Sequence, residues 1–147
     1  KCVYQRLNNQ FDFALIETKF NYVNRIGRNQ ILQRKAYRAG FRDLFYQPEV
    51  VMIGGVSKKV SGYLRNVNAP FTIEYEDGEI EIKGLHFVSH FKNGQPRALS
   101  QAGDSGSLVF MKNSLEPLGI VVGGTSSTTF VLPITAILDN YELTIPL

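Results

Sequence analysis

Gly103-Asp104-Ser105-Gly106-Ser107 sets a serine among small residues, immediately before the apolar run Leu108-Val109-Phe110-Met111. A hydroxyl held at such a turn suits attack on a carbonyl. Small neighbours let a peptide approach closely, and the backbone N–H groups of Gly103 and Ser105 can converge on the oxyanion that forms. Serine is a weak nucleophile near neutral pH and needs a base, usually a histidine oriented by a carboxylate. The chain has two histidines, His86 and His90, in Leu85-His86-Phe87-Val88-Ser89-His90-Phe91. At even spacing they share one face of a strand, where a structural or cleft-lining role is the simpler reading. No further ligands at metal-site spacing accompany them, so no metal is expected. A plain tight turn is the competing reading of Gly103 to Ser107, since Asp-Ser-Gly is ordinary turn chemistry.

The elements that would carry these residues are strands. Apolar or alternating runs cover 13–16, 50–53, 60–64, 71–75, 79–82, 85–91, 108–111, 118–122 and 128–132. Asp77-Gly78 joins two of them as a hairpin. Turn residues punctuate the runs at short intervals, as in an antiparallel sandwich or barrel. Residues 18–48 read as a long polar connector with a helical turn in it. Pro133 to Asp139 reads as a short terminal helix with proline at its first position.

The 147 residues suit one compact domain or the larger part of one. No apolar run approaches the ~18 residues of a membrane span and no signal peptide opens the sequence, so no membrane association is expected. Net charge is +3, yet Arg25, Arg28, Arg34, Lys35, Arg38 and Arg42 occur before any acid intervenes at Asp43. Such a run can touch nucleic acid or an anionic surface. No recognised binding motif with interleaved aromatics accompanies it, so a solvated linker is expected and nucleic acid is not the expected partner. The single cysteine, Cys2, excludes an internal disulfide. It is either an ordinary small side chain or half of a bridge to another chain. The count leans towards an intracellular or viral setting.

Three segments in order resemble the chymotrypsin/trypsin-like serine peptidases, in particular their disulfide-poor branch. Asp12-Phe13-Ala14-Leu15-Ile16 is similar to the strand that follows the catalytic aspartate. Gly103 to Gly106 matches the Gly-Asp-Ser-Gly of the nucleophile. Gly119-Ile120-Val121-Val122-Gly123-Gly124 is similar to the strand lining the substrate cleft. The resemblance implies a mainly β chain, with a second antiparallel β-barrel, the end of a first and a short C-terminal helix. Residues 1–17 would be the last strand region of the first barrel, 18–48 the inter-barrel connector, and 49–147 the second barrel with its helix. It implies Ser105 as nucleophile, Asp12 as orienting carboxylate, Gly103 and Ser105 as the oxyanion hole, and no cofactor. Leu99, Ser100, Val122, Gly123, Gly124 and Thr125 would bind substrate, a peptide or protein. No acid stands at Leu99, so a hydrophobic or small residue before the cut is expected rather than Arg or Lys. In this family the histidine precedes the aspartate, and none precedes Asp12. The base and most of the first barrel are therefore expected from an N-terminal partner chain, such as the other product of an autoprocessed precursor. A catalytically inactive protease-like binding module is the alternative.

Overall fold

The computed structural model describes residues 2–8, 12–16, 25–27, 30–143 and 145. Two short antiparallel hairpins come first: β1 (Cys2–Leu7) with β2 (Asp12–Ile16), and β3 (Arg25–Gly27) with β4 (Gln30–Ile31). The expected connector falls partly outside the described residues. Its described part runs along the surface to a single helical turn, α1 (Asp43–Tyr46). Arg38 pairs with Asp139 through two 2.9 Å hydrogen bonds. The N–H groups of Gln33 and Tyr37 donate to Leu115 and Pro117.

Seven strands follow: β5 (Glu49–Gly54), β6 (Lys58–Tyr75), β7 (Gly78–Lys92), β8 (Gln95–Arg97), β9 (Leu108–Met111), β10 (Pro117–Gly124) and β11 (Thr129–Pro133). They pair in the order β11-β10-β9-β5-β6-β7-β8, and β7 also pairs with β11. That extra pairing closes six antiparallel strands into a barrel and removes their open edges. The expected helix is α2 (Ile134–Asn140), with Pro133 just before its first turn.

Period-2 alternation sorts the barrel's side chains. Val50, Met52, Leu64, Val88, Val109, Met111, Leu118 and Val131 fill the interior. Phe130, Leu132, Ile82 and Leu85 form a second cluster on the other face, covered by Phe13 of β2 and Ile137 of α2. Phe110 and Val51 meet Leu32 of the connector in a third. Burying each ring or aliphatic side chain contributes roughly 1.5–3 kcal/mol.

The expected separate strands 60–64 and 71–75 are one strand, β6, and 79–82 and 85–91 are one strand, β7. Register shifts between Leu64 and Phe71 bend the pair without ending it. Beyond the bend the β6–β7 arm lays Phe71 and Ile73 back onto the second cluster, with the Phe71 and Phe130 ring centroids 4.0 Å apart. That packing explains why the arm does not stand free as an isolated hairpin.

Candidate active site

Ser105 lies in the turn between the 100–103 segment and β9, and it is exposed. Its neighbour Asp104 is fully buried and fixes the loop. The Asp104 carboxylate accepts hydrogen bonds from the N–H groups of Val56 (2.8 Å), Ser57 (3.1 Å) and Gln101 (3.0 Å), and from Ser57 Oγ at 2.5 Å. Burial by itself would raise its pKa. The hydrogen bonds from Ser57, Gln101 and Val56 outweigh that and hold the carboxyl well below the usual range. Gly54, at the end of β5, leaves the space this carboxylate fills, because a Cβ there would overlap Asp104 Oδ1. Asp104 is therefore a structural anchor of the loop.

The backbone of the loop is divided between structure and open donors. Asp104 N–H donates to Gln101 O, Ser107 N–H to Asp104 O and Gly106 N–H to Val121 O, while Val121 N–H donates to Ser107 O. Among the described residues, the N–H groups of Gly103 and Ser105 donate no hydrogen bond. Gly103 sits at φ +95°, a conformation that glycine adopts without strain. Two uncommitted donors on one loop beside an exposed hydroxyl can stabilise an oxyanion.

A pocket of about 320 Å³ opens beside Ser105. Its lining brings together Ser100, Gly123, Gly124 and Thr125 of the expected substrate-binding set, and adds Gln101, Ala102 and Val121. The wall is neutral throughout. Thr129, fully buried on β11, holds one side of it: its Oγ1 accepts the N–H groups of Leu99 and Ser100, both at 2.9 Å, and meets Ser100 Oγ at 2.8 Å. Nothing in the sequence marked Thr129, since its role depends on which strand lies opposite residue 99.

Two expected lining residues are elsewhere. Leu99 is buried in the barrel interior and Val122 in the second cluster. A register shift in the β10–β11 pairing between Val121 and Gly123 breaks strict alternation. Val121 thereby lines the pocket, while Val122 packs on the far side of the sheet.

Asp12 opens β2 opposite Leu7, and its side chain lies outside the described part of the structure. His86 and His90 do not line the Ser105 pocket. His90 pairs with Arg97 across β7 and β8. His86 is buried at the β7–β11 pairing, opposite Val131, and its Nδ1 accepts the Asn68 N–H at 3.4 Å. Burial lowers its pKa from 6.5 to about 4, against a smaller opposing pull from Asp43. The folded state therefore resists a proton that the unfolded chain takes up below 6.5. Stability is unaffected above that pH and falls as pH drops from 6.5 towards 4, by on the order of 3 kcal/mol for the full shift. Urea unfolding across this window should show that fall, and His86→Gln should flatten it. Equal slopes for both proteins would assign the loss to other groups.

Solved structures share this architecture. A Nocardiopsis protease superposes with a TM-score of 0.71 at 18% identity, over 97% of this chain and 71% of its own. Cellulomonas bogoriensis chymotrypsin gives 0.64 at 19% identity, over 92% of this chain and 68% of its own. A glutamic acid-specific serine protease, described as using a histidine triad in substrate binding, gives 0.63 at 18% identity, over 90% and 65%. The chain thus spans about two thirds of the length of each. No family model and no curated protein matches it. The chain has a chymotrypsin-like fold: a closed antiparallel barrel followed by a short C-terminal helix.

Proposed function

We propose that the chain is the nucleophile-bearing part of a serine endopeptidase. Ser105 Oγ attacks the peptide carbonyl, and the N–H groups of Gly103 and Ser105 hold the oxyanion. A histidine from polypeptide outside these residues takes the hydroxyl proton and returns it to the leaving amine. Asp12 orients that histidine, and water then hydrolyses the acyl group on Ser105. The observation that carries this reading is the loop itself: an exposed serine and two uncommitted N–H groups, held by the buried Asp104 beside a neutral pocket.

The place of the two histidines supports an external base, since the pocket is lined by neither. A folded sample of residues 1–147 alone should be inert towards peptides, and the complete protein with its N-terminal polypeptide should hydrolyse them. Activity in the isolated segment would overturn the external base. In the same assay, substrates with Arg or Lys before the cut should react at least about tenfold more slowly than those with small or apolar residues. A cation has no counter-charge in this pocket. The second reading, an inactive binding module, is favoured by the same absence of histidine, and the labelling experiment below separates the two.

A further inference from the structure

The basic connector plays no part in the proposed site. We propose that the connector and α1 form a docking face for single-stranded nucleic acid. Phe41, Phe45 and Tyr46 are 72%, 73% and 80% exposed, three rings within six residues. They sit on a braced support. The buried Asp43 accepts Tyr37 Oη at 2.6 Å and the Gly40 N–H at 2.7 Å, and the Phe41 and Phe45 rings meet edge to face at 5.3 Å. Arg34, Lys35 and Arg42 are exposed in the same segment and form no ion pair among the described residues. A groove of about 330 Å³ is lined by Lys35, Arg42 and Phe41, with Glu116 as its one acid besides Asp43.

The face continues onto the barrel. Pro48 O, two residues past α1's last turn, accepts the Leu64 N–H at 3.0 Å. This sets the end of α1 beside a second cluster of the same composition. There the Arg65 guanidinium lies 4.7 Å over the Phe91 ring, and Tyr63 stands 6.3 Å from Phe91. Arg65 forms no ion pair among the described residues.

Rings with unpaired cations match the two repeating features of a single strand, its bases and its phosphates. Between Gln33 and Gln47 no aliphatic side chain larger than alanine is exposed. A bilayer anchor would call for an amphipathic helix with a continuous apolar face, and α1 is a single turn. The sequence pattern alone pointed to a solvated linker because it does not show which aromatic residues reach the surface.

Fluorescence anisotropy of the full protein with a labelled oligouridylate of about 12 nucleotides tests this, that length suiting a single-strand site. Binding should weaken with salt at a log–log slope of about −3, from Arg34, Lys35, Arg42 and Arg65 at about −0.7 each. Phe41→Ala, Phe45→Ala or Tyr46→Ala should each weaken it about 5- to 100-fold, with unchanged circular dichroism. Replacing Arg34 and Arg42 together should reduce the slope by about 1.4. Ser105→Ala should bind as the parent does, so this result stands apart from the peptidase reading. No binding at low salt, or binding indifferent to all three rings, would overturn the proposal. So would a ring-dependent preference for anionic vesicles, for an acidic protein or for a second copy of the chain.

Discussion

On the proposed reading, Ser105→Ala will lower peptide hydrolysis by the complete protein about 10⁵- to 10⁶-fold in kcat, with KM changed little. The size follows from what the hydroxyl does. Without Oγ there is no acyl-enzyme, and the base has no proton to take. The oxyanion donors and the pocket remain, because Gly103 and Ser105 contribute backbone N–H groups and Ser105 is exposed. A residual rate from those donors and from binding is therefore expected. Stability should change by less than about 0.5 kcal/mol, as at other surface positions. Urea unfolding checks the second statement and steady-state kinetics the first. A variant retaining more than a few per cent of the rate would remove Ser105 from the chemistry.

Asp104→Ala will damage both the fold and the reaction, by a different route. The carboxylate accepts four hydrogen bonds from three residues of two loops. Removing it strands the N–H groups of Gln101, Val56 and Ser57 and leaves a void beside Gly54. Leaving buried donors unpaired costs about 1–3 kcal/mol each, discounted here because Val56 is half exposed and water can reach its N–H. A loss on the order of 2–4 kcal/mol is expected, together with a fall in kcat of at least about 100-fold as the oxyanion donors lose their positions. Asp104→Asn should recover part of the stability, since its amide oxygen still accepts. Full activity in Asp104→Ala would show that the loop is held by other contacts.

The pH dependence follows from the sign of the shift. The folded pKa of Asp104 lies below its ordinary value of 3.8. Its contribution to stability is therefore complete above that value and is lost only as pH falls through the depressed one. The loss expected between 6.5 and 4 is instead that of the buried His86, which the His86→Gln comparison checks.

The turn at Gly103 to Ser107 was legible in the sequence because it is local: small residues, positive-φ glycines and an acid within five positions. The hairpin at Asp77-Gly78 was legible for the same reason, and Gly78 turns there at φ +126°. Leu99 and Val122 fall outside the lining of the Ser105 pocket because their orientation depends on non-local register. Leu99 is turned inward by the hydrogen bonds from its own N–H and that of Ser100 to Thr129, thirty residues away. The length of β6 was not legible because the strand passes through Asn66, Asn68 and Pro70, residue types that favour turns. In the structure Asn68 takes φ +52° within a bend that the strand survives. The exposure of the Phe41, Phe45 and Tyr46 rings was not legible, because a solvated connector and one that presents rings share the same residue pattern.

The most direct test of the account is a fluorophosphonate reaction with the complete protein, followed by peptide mapping. The account predicts one stoichiometric adduct on Ser105 Oγ, lost in Ser105→Ala and slowed when the external histidine is replaced. An adduct on another serine, or none in an assembly that contains the N-terminal polypeptide, would contradict it and leave the fold as an inactive binding module.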